Sequence, residues 1–287
     1  MTQETNPSVS IIIGSFNAEK YIRETLDSVA SQTFKSFEAI IVDDCSTDNT
    51  AKIIQEYCDK DTRFQLIQLE SNSNLPAVPR NVGLKHASGE FVAFLDHDDV
   101  WTRKKILRQI SAFQNHPQID LVFSYLWSFK KKSLLRGLIL VPNPFKNKIN
   151  YERLRNGNAL MYSSVFARKK IIMSLNGFDE NPKLRAIEDY DLWLRVSQQY
   201  RIGYISEVHG YYRVTNSSAS RSDMSLEKYK YMDTYRNTRN LTKRSSLIFR
   251  IMKKIIDLPV GFFFHVCEGW IRQYFFNKPR VFNPSKK

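Results

Sequence analysis

The sequence predicts an α/β fold: a mixed, mostly parallel sheet flanked by helices, with a helical extension at the C-terminal end. Three observations carry this expectation. Apolar runs of four to six residues alternate with stretches of helical period, the βαβα order that builds parallel sheets covered on both faces. The 287 residues suffice for one large domain with a sizeable core plus a tail. Charge is unevenly placed as well: of the net +14, residues 221–287 hold +10, so the last quarter differs in kind from what precedes it. The expected division is a domain over 1–221 and a basic helical extension over 222–287.

Each element follows from local pattern. Val9-Ser10-Ile11-Ile12-Ile13 reads as a buried strand, and residues 21–29 place Tyr21, Thr25 and Leu26 at helical offsets. Ala39-Ile40-Ile41-Val42 is the next strand. Thr47 or Asp48 can then cap a helix that carries Ile53, Ile54 and Tyr57. Residues 64–69 give a third strand, 80–86 a short helix, and Phe91-Val92-Ala93-Phe94-Leu95 a fourth strand. Beyond residue 101 the pattern loosens. Helix is expected over 103–115 and 187–200, and strand over 121–129, 202–205 and 211–214. The basic, proline-containing stretch 130–150 reads as a mobile loop.

Composition excludes several classes. Three cysteines, Cys45, Cys58 and Cys267, lack metal-ligand or CxxC spacing and point to a reducing compartment. The polar first residues show no apolar signal segment. Neither GxxxxGK[ST] nor GxGxxG stands near the first strand, which argues against P-loop and NAD-binding enzymes. Phosphate, if bound, must be met by metal and by basic side chains such as Arg80 and Arg213.

The densest chemistry follows the fourth strand. Asp96-His97-Asp98-Asp99 sets three carboxylates within four residues, which repel one another unless a cation is present. Hard oxygen ligands select Mg²⁺ or Mn²⁺, ions that also hold substrate phosphates. A solvated acidic turn is the plainer alternative. His97 is read as a bystander, because neighbouring side chains on extended chain point apart. Asp43-Asp44 follows the second strand in the same way, at the same sheet edge. A carboxylate there can accept from the imide N–H of a uracil or thymine ring, although Asp43 by itself suits a turn cap.

Taken in order, these segments resemble a known family. Ser10-Ile11-Ile12-Ile13-Gly14-Ser15-Phe16-Asn17, Tyr21-Ile22, Ser31-Gln32-Thr33 and Ile41-Val42-Asp43-Asp44-Cys45-Ser46-Thr47-Asp48 are similar to the opening of family 2 glycosyltransferases of the GT-A, Rossmann-like fold. Arg80-Asn81-Val82-Gly83-Leu84, Ser88-Gly89-Glu90 and 94–101 continue the resemblance, and Gly177-Phe178-Asp179-Glu180 and 188–195 complete it. It spans residues 8–220. The resemblance implies an inverting transfer from a nucleoside diphosphate sugar, UDP being the expected nucleotide, to a hydroxyl of a glycan acceptor. By the same resemblance Ser15, Phe16, Asn17 and Asp44 would cradle the base, and Arg80 would lie by the base or diphosphate. Asp96 would touch the ribose, Asp98 would ligate Mn²⁺ or Mg²⁺, and Asp189 would be the general base. The chemistry is consistent with those roles. A metal ion stabilises a departing diphosphate, and an alcohol needs a positioned base.

On the predicted helix Asp189 and Trp193 are i and i+4, which would set the base beside an aromatic wall for the acceptor. Asp191 and Arg195 at the same spacing read as a structural ion pair. Glu188 suits either an acceptor contact or a charge at the helix N-terminus. Three positions depart from the family pattern. Gly14 stands at a usual proline. Cys45 stands at a usual glycine, implying a turn that avoids positive φ. Thr215 stands where many members have histidine, with Arg213 a candidate to compensate and His209 read as structural.

In the tail, Ile248, Ile251, Met252, Ile255 and Ile256 fall at helical offsets opposite Arg250, Lys253 and Lys254. Pro259 and a cluster of aromatics follow. No run reaches the ~20 apolar residues of a transmembrane helix, and the pattern suits a helix lying in the membrane interface. Packing on the domain is the alternative. The expected setting is cytoplasmic, peripheral on the inner face of the membrane, with a lipid-linked glycan as acceptor and no nucleic acid as partner. A non-catalytic nucleotide-sugar-binding subunit and a basic nucleic-acid binder are the competing functions. Asp189 separates the first and salt-dependent retention the second.

Overall fold

The computed structural model describes residues 7–129, 139–140, 149–154 and 158–215. The first part runs β1 (Val9–Ser15), α1 (Ile22–Ala30), β2 (Phe37–Asp43), α2 (Thr50–Cys58), β3 (Phe64–Gln68), α3 (Ala77–His86) and β4 (Phe91–Phe94). β5 (Val100–Trp101), α4 (Lys105–Asn115), β6 (Leu121–Phe129), β7 (Ile139–Leu140) and α5 (Tyr151–Leu154) follow. β8 (Val165–Arg168), α6 (Lys169–Ser174), α7 (Glu188–Gln199) and β9 (Ile202–Arg213) complete the described chain.

All nine strands join one sheet in the order β3-β2-β1-β4-β8-β6-β9-β5, with β7 on β6. Ladders β1–β2, β1–β4, β2–β3 and β6–β9 are parallel, while β8 runs antiparallel to both β4 and β6. The sheet is therefore mixed and mostly parallel, as the sequence predicts. Alternation along β1 explains its two-sided core. Ile12 packs with Val42, Phe94 and Trp193 on one face, and Ile11 and Ile13 pack with Leu26, Ile41 and Ile106 on the other. Each such isoleucine, fully buried, contributes about 1.5–3 kcal/mol. On the first face α3 approaches closely enough that a Cβ on Gly83 would stand 2.8 Å from Ile12 Cγ2. A larger residue would lift the helix that carries Arg80.

Some expectations change. The separate strands expected over 202–205 and 211–214 are one strand, β9. Irregular register between Ser124 and Leu126 absorbs extra residues of β9 and breaks the alternation that a sequence reading relies on. Val165-Phe166-Ala167-Arg168, a short apolar run given no element from the sequence, is the strand that joins the two halves of the sheet. Of the loop expected over 130–150, residues 139–140 form β7 and most of the rest lie outside the described residues, as do residues 216–287, which include the whole extension expected over 222–287. Among the described residues no helix is long and apolar enough to cross a membrane.

Candidate active site

Parallel strands β1, β2 and β4 end side by side, so the loops after Ser15, Asp43 and Phe94 share one rim, the usual ligand edge of such sheets. Local hydrogen bonds fix the first two loops. Asp44 N–H donates to the Ser15 carbonyl (2.8 Å), and Ser15 Oγ donates to Asp43 Oδ1 (3.1 Å). Asp43 Oδ2 also accepts from Ser46 N–H (3.0 Å), so Asp43 is the turn cap. Asn17, at φ +46°, spends its Oδ1 on Thr47 N–H (2.8 Å) and holds the 46–48 turn. Asp48 Oδ1 accepts from Thr50 N–H (2.9 Å) in the turn before α2, but the residue at the N-cap is Asn49, not Asp48 or Thr47, and it makes no side-chain capping bond. Both Asp44 oxygens accept from Ser73, one from its N–H and one from its hydroxyl, each at 2.8 Å. Phe16 is left 42% exposed at this rim. Cys45 corrects an expectation: its φ is +59°, so the turn does enter the left-handed region and a non-glycine residue carries the strain.

The acidic turn after β4 is tied down from three sides. Thr25 Oγ1 on α1 lies 2.8 Å from the carbonyl oxygens of both His97 and Asp99. His97 Nδ1 sits 3.2 Å from the Gly14 carbonyl, a structural contact that agrees with its bystander reading. Arg213 on β9 donates its N–H to Asp99 Oδ1 (2.8 Å), its Nε to the Asp98 carbonyl (2.7 Å) and one NH to Glu24 (2.7 Å). Expected to meet the diphosphate, Arg213 is instead buried and engaged in anchoring this turn. Burial pushes the carboxyls of Asp98 and Asp99 upward, with neighbouring acids adding to it.

Arg80 joins this turn to the helix of the expected base. One guanidinium NH donates to Asp96 Oδ1 (2.9 Å) and another to Glu188 Oε1, while the plane lies 3.8 Å from the centre of the Tyr162 ring. Glu188 opens α7 and Asp189 follows it, so Arg80 ties the acidic turn to the residue beside Asp189. Asp189 Oδ1 accepts from Tyr190 N–H (2.7 Å), and Oδ2 lies 3.3 Å from Asn158 Nδ2. Burial, then the adjoining Glu188 carboxylate, push Asp189 up to about 7, against the pull of Arg80. A carboxylate of that basicity suits proton abstraction near neutral pH.

Two acceptor-side expectations are corrected. Trp193 is fully buried against Phe94 and Phe178, with ring centroids 5.7 and 6.1 Å away. One turn on from the partly exposed Asp189, its side chain lies wholly in the core, so it forms no wall for an acceptor. Glu188, 3% exposed, is the partner of Arg80 and not an acceptor contact. Asp191 and Arg195 do form the structural pair, at 2.8 Å. His209 is structural too. Burial, with Lys105 and Arg108 nearby, pushes it down to about 3, so its 3.0 Å approach to Glu207 is no ion pair.

Among the described residues no three side chains form a ready-made metal cage. Asp98 is nevertheless a carboxylate that accepts no hydrogen bond from another described residue, on a turn whose acids repel. One or two carboxylates completed by substrate oxygens is the ordinary donor set for Mg²⁺ or Mn²⁺, and Asp96 and Asp98 fit it.

Comparison with known proteins agrees with this geometry. Residues 10–173 match the family described as glycosyl transferase family 2. The chain is 26% identical to EpsE of Bacillus subtilis over 98% of its own length and 97% of the relative's. Against WfaP of Escherichia coli, a UDP-Glc:alpha-D-GlcNAc-diphosphoundecaprenol beta-1,3-glucosyltransferase, identity is 32% over 93% of the chain and 96% of the relative. The structure of Staphylococcus aureus TarS 1–349 in complex with UDP-GlcNAc superposes with a TM-score of 0.67 at 28% identity, covering 79% of this chain and 65% of that one. Sheet order, the acidic rim and these likenesses lead to one assignment: the chain belongs to glycosyl transferase family 2 and has the GT-A fold.

Proposed function

We propose that the protein transfers a sugar from a UDP-sugar to a hydroxyl of a lipid-linked glycan by a single inverting displacement. The observation that supports this reading is the Arg80 bridge, which joins Asp96 after β4 to Glu188, the residue next to Asp189 at the start of α7. Support for UDP comes from the TarS complexes with UDP and UDP-GlcNAc.

In this reading the loops after β1 and β2 receive the base, with Asp44 and the exposed Phe16 beside it, and Asp96 meets the ribose. Asp98, with Asp96, would hold Mg²⁺ or Mn²⁺, which when bound neutralises the diphosphate as it departs. Asp189 takes the proton from the acceptor hydroxyl. The hydroxyl oxygen forms its bond to the anomeric carbon while the bond to the diphosphate oxygen breaks on the opposite side. Arg80 keeps Glu188 and Asp96 apart from one another in charge, and Arg213 keeps the acidic turn in register.

The lipid-linked acceptor and a place on the inner face of the cytoplasmic membrane rest on the basic, aromatic extension of residues 222–287. WfaP, whose name specifies a diphosphoundecaprenol-linked acceptor, lends support. The test is a screen of nucleotide sugars with Mn²⁺ and lipid-linked acceptors, wild type beside Asp189→Asn. Turnover by the wild type alone, with donor binding in both, is expected. Turnover by the variant at the wild-type rate would refute the reading.

A further inference from the structure

Outside the rim, the least expected group in the described structure is Lys105 on α4. It is fully buried, and no carboxylate lies within ion-pair distance among the described residues. Its Nζ donates to the Ser164 carbonyl (3.1 Å) and lies 4.9 Å from the centre of the Trp101 ring. Burial alone holds its ammonium well below the ordinary lysine range. A leucine or methionine there would satisfy the core without desolvating an amine, so the fold itself gives no reason for a lysine.

What Lys105 touches supplies one. Tyr162–Ser164 is a single 3₁₀ turn between the basic connection and β8. Three buried donors converge on its carbonyls: Lys105 Nζ and Gln109 Nε2 on that of Ser164 (3.1 and 2.8 Å), and Trp101 Nε1 on that of Ser163 (2.8 Å). Gln109, one helical turn after Lys105, is also fully buried. The other side of the turn faces the site. Ser163 Oγ accepts from Asp96 N–H (3.0 Å), and the Tyr162 ring centre lies 3.8 Å from the Arg80 guanidinium carbon. The turn therefore relays α4 to both the acidic rim and the arginine that bridges the rim to Glu188, next to Asp189.

We propose that Lys105 and Gln109 are positioning residues for sugar transfer, acting through the Tyr162–Ser164 turn to fix Asp96 and Arg80. The proposal rests on the function given above. Lys105 and Gln109 together fill the two acceptor positions of the Ser164 carbonyl, so an apolar replacement at either leaves that buried carbonyl with one donor and loosens its hold on the turn. The turn would then shift to find other partners, and displacement on the order of 1 Å at a reacting centre is worth about 100-fold in rate.

The experiment compares the full-length wild type with Lys105→Met, Gln109→Leu, Ser163→Ala and Lys105→Met/Ser163→Ala. Amide exchange and steady-state kinetics are both read. Expected for Lys105→Met is faster exchange confined to residues 96–101 and 161–165, an unchanged or higher melting temperature, and kcat lower by tenfold or more with a small change in donor KM. Ser163→Ala should give the same loss, and the double variant no more than either single one, because the residues act in one chain. Lys105→Gln, which keeps a donor, should recover part of kcat. Additive losses, exchange unchanged at 96–101, or a kcat loss that tracks a fall in melting temperature would each overturn the proposal. Exchange reads the relay without any substrate. A wild type that transfers no sugar would therefore sink the function while the exchange still decides the relay.

Discussion

Replacing Asp189 by asparagine should abolish turnover and, at the same time, stabilise the protein at alkaline pH. The two effects share one cause. Asp189 is raised from 3.8 to about 7 by burial and by Glu188. Between those values the native protein holds a proton that the unfolded chain has released. Stability therefore falls as pH rises through that window, and the full cost is present above 7. A displacement of about three units corresponds to at most about 4 kcal/mol, and the contact Asp189 keeps with solvent reduces this to about 2 kcal/mol. Asparagine keeps the shape and can still accept from Tyr190 N–H, but carries no charge. At pH 8 the variant should melt about 4–8 °C above the wild type, and near pH 4 the two should coincide. Loss of a general base lowers kcat by about 10²–10⁴-fold. Calorimetric melting across pH 4–8 together with donor-saturated kinetics measures both. A variant less stable than the wild type at pH 8, or one equally active, would refute the placement of Asp189 in a buried, acid-crowded position as the base.

Three further outcomes follow from neighbouring residues. Glu188→Gln removes one of the charges that raise Asp189, so the rising limb of kcat/KM against pH should move down by about one unit, leaving a larger fraction of plateau activity at pH 6. Arg80→Met strands Glu188 without its partner in the interior and should cost about 3–5 kcal/mol in urea unfolding. Arg80→Lys should recover little of this, since one ammonium does not reproduce a fork between two separate carboxylates. Cys45→Gly relieves a non-glycine φ of +59° and should raise stability by up to about 1 kcal/mol, whereas Cys45→Val should lower it.

What could be read in advance divides along physical lines. β1 to β4 obey period alone: each is a short apolar run between helical stretches, so both their existence and the shared rim at their ends follow from pattern. The rim residues were legible for the same reason, because Asp44, Asp96 and Asp98 sit directly after strands. β8 was not. Four residues, Val165 to Arg168, are too few to show a period, and a strand that reverses the direction of pairing has no local signal. Trp193 shows the reverse failure. Helical spacing correctly put it on the face of Asp189, but spacing does not say whether a face meets solvent or core, and here it meets Phe94 and Phe178. Cys45 misled because residue preference at positive φ is worth only about 1–2 kcal/mol, which a turn held by Asp43 and Ser46 can carry. Ser73, Asn158, Ser163 and Lys105 had no signal at all: each is defined by the polar atom it reaches across the fold.

The charge balance of the site makes its own demand. Asp96, Asp98, Asp99, Glu188 and Asp189 gather around two guanidinium groups, and both are already engaged, Arg80 with Asp96 and Glu188, Arg213 with Glu24 and backbone carbonyl. Burial first, and neighbouring acids after it, hold the carboxyls of Asp98, Asp99 and Asp189 above the ordinary range. A nucleoside diphosphate brings further negative charge to the same rim. In the proposed reading, positive charge would have to arrive with it, and a divalent ion held by Asp98 would supply that charge. UDP should bind at least about 100-fold more weakly in EDTA than in Mg²⁺ or Mn²⁺, a difference of roughly 2.7 kcal/mol, and Asp98→Asn should remove most of the dependence on metal. Equal affinity for UDP with and without the ion, measured by titration calorimetry, would mean that the acids of this turn serve the fold and not the phosphate.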